Sequence, residues 1–129
     1  MVLDRIKGHG AKHKHELQDA ALEAARQRGL KQVVLDSDAT IRNKVAALRG
    51  INDHWFISDR VMWAGDRDVR LAAIERMGEE SFKPERGDAD ALISVSRGHF
   101  DPKTREAAAS QAERIHRMLD AQAEPGTSR

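Results

Sequence analysis

The segment DRDVRLAAIERMG, residues 66–78, decides the fold. Its first aspartate can accept hydrogen bonds from the unpaired N–H groups of a helical first turn. Val69, Ala73 and Ile74 follow at the spacing that places side chains on one face of an α-helix. A glycine comes directly after, where a left-handed residue commonly closes a helix. The segment therefore predicts a short helix over residues 67–77.

The same start and stop signals recur along the chain. Glycines end apolar-periodic runs at Gly29, Gly50, Gly65, Gly78 and Gly98. Aspartates precede such runs at Asp38, Asp53, Asp66, Asp88 and Asp101. These signals predict helices over residues 11–28, 39–49, 53–64, 67–77, 89–97 and 102–122, with a loop at 79–88. Residues 30–36 favour a short apolar helix, although their VVL run also suits a strand.

The composition favours an all-α protein of one domain. The chain has 129 residues, with 22 Lys and Arg against 21 Asp and Glu, and no cysteine. Helix-favouring residues dominate, while β-branched and aromatic residues are sparse. No apolar stretch approaches the roughly 20 residues that cross a bilayer, and the N-terminus lacks the apolar region of a signal peptide. The absence of cysteine fits a reducing cytoplasm, where we expect the protein.

The domain organisation follows from the ends of the chain. Gly8 and Gly10 interrupt the first residues, and the last seven residues read AEPGTSR. We expect a flexible basic arm at residues 1–10, a single helical domain at 11–122 and a disordered tail at 123–129.

Three segments share the pattern of the opening stretch. They are DATIRNKVAAL from Asp38, DRDVRLAAIERM from Asp66 and DPKTREAAASQA from Asp101. Each has an aspartate, two further residues, a β-branched residue and an arginine, namely Ile41 and Arg42, Val69 and Arg70, and Thr104 and Arg105. This pattern resembles the HEAT-like repeat of the short bacterial type over roughly residues 30–115. The resemblance implies a short stack of antiparallel helical hairpins closed by the long last helix, and it implies little about function.

The repeated positions have two interpretations. In the structural one, the aspartates cap helices, the branched and small residues face inward, and the arginines bond groups in neighbouring hairpins. In the other, Arg42, Arg70 and Arg105 form a ladder that contacts phosphates or an acidic partner. The structural interpretation is favoured, because capping and stacking explain every repeated position.

A basic and histidine-rich cluster occupies the N-terminus. Its members are Arg5, Lys7, His9, Lys12, His13, Lys14 and His15. Neutral imidazoles suit transition metals, and the cations suit phosphates or an acidic partner. A solvated basic arm is the favoured interpretation, because two glycines interrupt the segment. We therefore expect no bound metal or cofactor.

Two tryptophans lie in the predicted helix 53–64. Both faces of this helix are apolar, so we expect it to be the central helix, with Trp55 and Trp63 packed in the core. Such a helix must be covered by its neighbours or by another chain. Tryptophan is also a frequent anchor of protein interfaces. We therefore expect one of the two to be partly exposed at a contact with another protein.

The last predicted helix carries an apolar seam. Ala108, Ala112, Ile115 and Leu119 are spaced four, three and four residues apart. This seam either packs on the preceding hairpins or forms the contact of a homodimer.

Catalytic patterns are sparse. The chain has no P-loop, HExxH or nucleophile-elbow motif. Ser58 and Asp59 are adjacent on a helix, where neighbouring side chains point apart. Asp53 beside His54 is better explained as a helix cap. We therefore expect no catalytic residues and no enzyme activity.

Two functions remain open. The repeat and the apolar helix favour a non-enzymatic protein-interaction module of the adaptor, scaffold or regulatory kind. The alternative is a nucleic-acid-binding repeat protein that uses the basic arm and the arginine ladder. The balanced net charge argues against the second, because phosphate binding draws on a positive surface.

Overall fold

The computed structural model describes the backbone of residues 2–127 and the side chains of residues 15–123. These residues form six α-helices and one short 3₁₀ helix, with no β-strand among them. The prediction of an all-α fold is confirmed. The α-helices are α1 (Val2–Leu35), α2 (Ile41–Leu48), α3 (His54–Trp63), α4 (Arg67–Met77), α5 (Arg86–Ser96) and α6 (Pro102–Thr127), and the 3₁₀ helix spans Glu80–Phe82.

The six helices form three hairpins. Helix α1 packs on α2, α3 on α4, and α5 on α6. The second helices of the hairpins lie in the order α2, α4, α6, and α3 lies beside α5. This is a short stack, in which each hairpin buries an apolar face against the next.

The core runs through all three hairpins. Its largest fully buried side chains are Leu48, Ile51, Ile57, Val61, Met77, Leu92, Val95, Thr104 and Ile115. Fully buried alanines at Ala73, Ala89 and Ala108 allow the backbones of neighbouring helices to approach closely.

Two of the three repeated segments have the predicted structure. Asp66 caps α4 by accepting from the backbone N–H of Asp68, and Val69 is buried. Asp101 caps α6 by accepting from the backbone N–H and the hydroxyl of Thr104, at 3.0 and 2.7 Å. Thr104 is fully buried.

The register predicted for the first segment is wrong. Helix α2 is capped by Thr40, whose hydroxyl accepts from the backbone N–H of Asn43, and not by Asp38. Ile41 is consequently 43% exposed rather than inward-facing. The buried pair is Ala47 and Leu48, seven and eight residues after the cap, just as Ala73 and Ile74 follow Asp66 in α4. The first copy therefore begins two residues later than its aspartate indicated.

Several predicted boundaries also need correction. Helix α1 continues through Gly29, and residues 30–35 are helical rather than a strand. Helix α5 begins at Arg86 rather than at residue 89, so Asp88 lies inside its first turn instead of preceding it. The flexibility predicted for residues 1–10 and the disorder predicted for 123–129 stay predictions, although the helices assigned there begin at Val2 and end at Thr127.

The glycines do not close helices in the predicted way. None of the described glycines has a positive φ, and the left-handed residue is Lys83, at φ 55°. Gly78 has φ −95° and serves a different purpose. A Cβ there would overlap the side-chain amide of Gln111. That amide donates to the carbonyls of Ile74 and Glu75 at 2.8 and 3.1 Å, and so satisfies unpaired groups of the last turn of α4.

The apolar seam of the last helix is buried within the chain. Ala108, Ala112 and Ile115 are buried, and Leu119 packs against the same core. Helix α6 carries them against α4 and α5. The homodimer contact predicted through these four residues is therefore wrong, because they are not available to a second chain.

A buried arginine joins the hairpins. Arg76 on α4 is 3% exposed. Its guanidinium donates to the carbonyl of Ile51 at 3.0 Å, the amide oxygen of Asn52 at 2.8 Å and the carboxylate of Glu79 at 2.9 Å. It also donates to the hydroxyl of Ser81 at 2.8 Å. A buried charge is tolerated when its donors are satisfied in this way.

Replacing Arg76 with Met keeps the length of the side chain and removes its charge and donors. Ile51, Asn52 and Glu79 then lose their partner, so we expect the free energy of unfolding to fall by about 3 kcal/mol or more. Arg105→Met, at an exposed position on α6, is the control and should change it by less than about 0.5 kcal/mol. Urea unfolding followed by circular dichroism measures both. Equal effects would contradict the role assigned to Arg76.

Two glycine substitutions should have opposite signs. Gly78→Ala displaces Gln111 and removes its two hydrogen bonds to α4, so we expect a loss of about 1–3 kcal/mol. Gly29→Ala meets no atom within 4 Å. Because it removes a glycine from the middle of α1, it should raise stability by about 0.5–1 kcal/mol. Thermal unfolding of both variants checks this, and a stable Gly78→Ala protein would show that Gln111 is not held there.

Candidate interaction surface

Helix α3 has one buried side and one open side. Ile57 and Val61, four residues apart, are fully buried against the core. The next inward position is Ala64, directly after the helix, and it is also buried. With 3.6 residues per turn, the side chains two positions before or two positions after these point away from the core. Trp55, Met62 and Trp63 occupy such positions.

Both tryptophans are exposed. Trp55 is 79% and Trp63 is 71% accessible to solvent, and Met62 is also exposed. The prediction that the tryptophans pack in the core is wrong, because the neighbouring helices cover only the side of α3 that carries Ile57 and Val61. The prediction that a tryptophan forms a partner contact stays a prediction, with both residues now accessible.

A polar residue lies between the two tryptophans on the same face of α3. Asp59 is four residues from each of them, so it falls on the same stripe. Its carboxylate accepts from Arg60 at 2.7 Å, and Arg60 is itself mostly buried. We call Trp55, Asp59, Met62 and Trp63 the tryptophan surface. Its two ends are apolar, and Trp55 and Trp63 lie about 12 Å apart along the helix axis. The carboxylate of Asp59, paired with Arg60, lies between them.

The start of α3 is held in place from α1. Asp53 caps the helix by accepting from the backbone N–H of Phe56 at 3.1 Å, as predicted. Its other carboxylate oxygen accepts from Lys31 of α1 at 2.6 Å. This bond, followed by the cap, holds the pKa of Asp53 below its usual value against the opposing effect of burial. The ammonium of Lys31 also lies 5.7 Å from the ring centroid of Phe56.

A second joint connects α3 to α5. His54 Nδ1 lies 2.7 Å from a carboxylate oxygen of buried Asp88 and 3.6 Å from one of Glu85. The imidazole also stacks on Phe82, with ring centroids 3.9 Å apart. The same Asp88 oxygen accepts from the backbone N–H of Glu85 at 2.8 Å.

One imidazole and two carboxylates of this kind are donor types that bind divalent metals, and their ligand atoms lie within 4.8 Å of one another. Each contact within this group has a structural explanation. Asp88 caps the first turn of α5, and His54 completes its hydrogen bonding from α3. We therefore assign the group to the joint between the two helices.

The arginine ladder does not form one surface. Arg42 and Arg105 are exposed, whereas Arg70 is half-buried. The guanidinium of Arg70 donates to the carbonyl of Ala64 at 3.1 Å and lies 5.5 Å from the ring centroid of Phe100. Arg70 thus holds the turn between α3 and α4 of its own hairpin, whereas the structural interpretation predicted a bond to a neighbouring hairpin; its contact with that hairpin is the ring of Phe100.

The basic N-terminal residues Arg5, Lys7, Lys12 and Lys14, with His9 and His13, lie outside the described side chains. Their predicted contacts stay predictions. Among the described residues, exposed cations and anions alternate along α6, where Lys103, Arg105, Arg114 and Arg117 are interspersed with Glu106, Glu113 and Asp120.

An open groove of about 500 Å³ lies between α4 and α6. Leu71 and Glu75 line one side and Arg114 the other. Gln111 also lines it, and its amide is already bonded to α4. None of the residues predicted from the sequence to act at a site lies in this groove.

Comparison with known proteins finds no matching family model, no matching curated protein and no matching solved structure. The function is therefore argued from the geometry of the chain alone. No helix of the described part has both the length and the apolarity required to cross a membrane.

The ion pair of Lys31 and Asp53 predicts a dependence of stability on pH. Because the pKa of Asp53 is lower in the folded than in the unfolded chain, the pair stabilises the fold above about pH 4. That stability is lost as the pH falls through the folded-state value. Both groups are partly exposed, so solvent screening limits the effect to about 1 kcal/mol or less.

Lys31→Met should therefore be less stable than the wild type at about pH 7, and the difference should shrink as the pH falls through the folded-state pKa of Asp53. Lys44→Met, which leaves this ion pair intact, is the control. Urea unfolding across this range measures the difference. A gap that persists unchanged at the lowest pH would show that Lys31 acts through its packing on Phe56 instead.

Proposed function

We propose that this protein is a non-enzymatic protein-interaction module and that the tryptophan surface of α3 is its contact with a partner protein. The observation that carries this proposal is the exposure of Trp55 and Trp63 on a helix whose opposite side is fully buried. Covering large exposed apolar side chains is favourable in water, and tryptophan is enriched among the residues that dominate interface energies.

The energy available at this surface suits a binding contact. Each tryptophan can bury roughly 150–250 Å² on association. At about 25 cal/mol per Å², covering both would contribute on the order of 10 kcal/mol before the entropic cost of binding. The pair of Asp59 and Arg60 between them offers a polar group that can orient the partner. This arrangement has the apolar anchors and polar neighbour typical of an interface.

The rigidity of the surface supports the proposal. Helix α3 is fixed at its start by Asp53 and His54 and along its length by Ile57 and Val61. A partner would therefore meet a preformed surface and would not need to order it.

The architecture supports a repeat-type scaffold. Three stacked hairpins, the capped Asp66 segment and the repeated Asp101 segment are consistent with a HEAT-like protein of minimal length. Stacks of this type present helical surfaces to other proteins. The proposal places the protein in the cytoplasm, in keeping with the absence of cysteine.

Nucleic-acid binding is less well supported. The ladder of Arg42, Arg70 and Arg105 does not present a row of free guanidinium groups, because Arg70 is engaged by Ala64 and Phe100. The mixed charges of α6 also lack the single-sign surface that phosphate binding requires. A mobility-shift assay at low salt distinguishes the two functions, and tight binding that weakens steeply with salt would favour the alternative.

The double variant Trp55→Ala/Trp63→Ala tests the tryptophan surface. We expect it to retain its fold, because both side chains are exposed, and to lose partner proteins recovered by affinity purification from its native cells by about tenfold or more. Ile41→Ala, which truncates an exposed apolar residue on α2, is the control and should recover them at wild-type level. Equal recovery with the double variant would refute the proposal.

The chain also carries its own probe of this surface. Trp55 and Trp63 are its two tryptophans, and it has no tyrosine. In the isolated protein, fluorescence should therefore resemble that of tryptophan in water and be quenched readily by acrylamide. Addition of a purified partner should shift the emission to shorter wavelength and protect it from quenching.

A further inference from the structure

The two tryptophans differ from the other aromatic rings of the chain in one respect. Each phenylalanine ring has a cation of the chain close to it. These pairs are Lys31 and Arg60 over Phe56 at 5.7 Å from the ring centroid, Arg76 over Phe82 at 5.2 Å and Arg70 over Phe100 at 5.5 Å. Among the described residues, no cation lies over Trp55 or Trp63. Since the indole is the aromatic ring that binds cations best, the strongest cation-binding rings of the chain are left to an outside group.

A carboxylate lies on the same face of α3 as the tryptophans. The Oδ2 atom of Asp59 accepts from the guanidinium of Arg60 at 2.7 Å. The other carboxylate oxygen has no donor among the described residues, and the side chain is 32% exposed. A carboxylate can accept from several donors at once. Asp59 can therefore accept from an outside group while it keeps its bond to Arg60.

The direction of helical side chains distinguishes the two tryptophans. Side chains on an α-helix lean toward its N-terminus. Trp63 follows Asp59 by about one turn, so its ring leans toward the carboxylate, whereas the ring of Trp55 leans away from it. Trp63 and Asp59 are therefore the two groups that a single cation can contact together.

The end of α3 adds to the attraction of a cation at Trp63. Trp63 is the last residue of the helix, where the carbonyls of the final turn favour positive charge. The carbonyl of Ala64, the next residue, already accepts from the guanidinium of Arg70 at 3.1 Å. Trp55 lies in the first turn, where the same helix dipole disfavours a cation. The two tryptophans are thus similarly exposed but lie in opposite parts of the field of the helix.

We infer that Trp63 and Asp59 form a cation-binding subsite and that the partner protein presents an arginine side chain to it. A planar guanidinium can stack on the indole and donate to the free oxygen of Asp59 at the same time, which the compact ammonium of lysine does less well. Trp55 then serves as the apolar anchor at the other end of the surface. This inference rests on the proposed function, because it names the chemistry of the partner that the tryptophan surface contacts.

Two matched peptides test the subsite. One is a blocked pentapeptide with a single arginine among glycines and serines, and in the other citrulline replaces the arginine, which keeps the shape and removes the charge. Each tryptophan gives one indole N–H signal in the NMR spectrum, and Trp55→Phe assigns them. Because one cation contact is weak, we expect the arginine peptide to shift the Trp63 signal saturably at millimolar concentrations. The Trp55 signal should move far less, and the citrulline peptide should shift neither.

Asp59→Asn tests the carboxylate. It keeps the shape of the side chain and removes its charge, so we expect the dissociation constant of the arginine peptide to rise by about threefold or more. Asp90→Asn, the same change at an exposed position on α5, is the matched control and should leave the constant unchanged. Circular dichroism confirms that both variants keep the helical domain.

Ionic quenchers test the local charge without a peptide. Trp55→Phe leaves Trp63 as the fluorophore, and Trp63→Phe leaves Trp55. Relative to neutral acrylamide and at constant ionic strength, caesium should quench Trp63 about twofold more efficiently than Trp55, and iodide should show the opposite order. Asp59→Asn should reduce this difference.

Three results would overturn the inference. One is an arginine peptide that shifts the Trp63 signal no more than the citrulline peptide does. Another is binding of the arginine peptide that Asp59→Asn leaves unchanged. The third is equal quenching of the two tryptophans by caesium. If any of these occurs while Trp55→Ala/Trp63→Ala still loses its partner proteins, the proposed function stands and the chemistry assigned to the partner is wrong.

Discussion

The buried guanidinium of Arg76 is the constraint on which the arrangement of the hairpins depends. A charge removed from water is strongly unfavourable unless its hydrogen-bonding groups find partners. Arg76 finds them in the connections between hairpins, at Ile51 and Asn52 on one side and at Glu79 on the other. The backbone N–H of Asn52 in turn donates to Gln27 of α1. One side chain therefore specifies how all three hairpins are joined, and no simple apolar contact could replace that geometry.

The tryptophan surface follows from this arrangement. The connection that Arg76 fixes leads directly into α3, and Asp53 and His54 then hold the first turn of that helix against α1 and α5. Once Ile57 and Val61 face the core, the helical period leaves Trp55 and Trp63 on the outside. Their exposure is thus a consequence of backbone placement and not of a choice of side-chain rotamer. A surface of this kind can recognise a partner without rearranging the domain.

Local signals predicted the helices well, and long-range contacts were beyond them. The segment 66–78 was predicted correctly because its cap and its apolar spacing are contained in thirteen residues. The predicted end of the first helix at Gly29 was wrong. A glycine inside a long helix resembles a helix end when the packing of that helix on α2 is not known. The sequence showed that the helix with Trp55 and Trp63 is apolar all round, but not which side its neighbours cover. The buried position and the bonds of Arg76 could not be predicted from a local pattern, since its partners Ile51 and Asn52 are 25 and 24 residues away in the sequence.

The continuity of α1 has a mechanical consequence. Every residue from 15 to 26 is exposed. A helix rises about 1.5 Å per residue, so the free segment 15–26 projects about 18 Å beyond the hairpin that anchors it. Because the segment is a helix, a force applied at its far end acts on the rest of the domain as on the short arm of a lever. The longer the free segment, the larger this effect. The first hydrogen bonds that anchor this segment are those of Gln27, which donates to the carbonyl of Gly50 and accepts from the backbone N–H of Asn52. The orientation of whatever the free end engages is therefore set by how firmly these two bonds hold the side chain of Gln27.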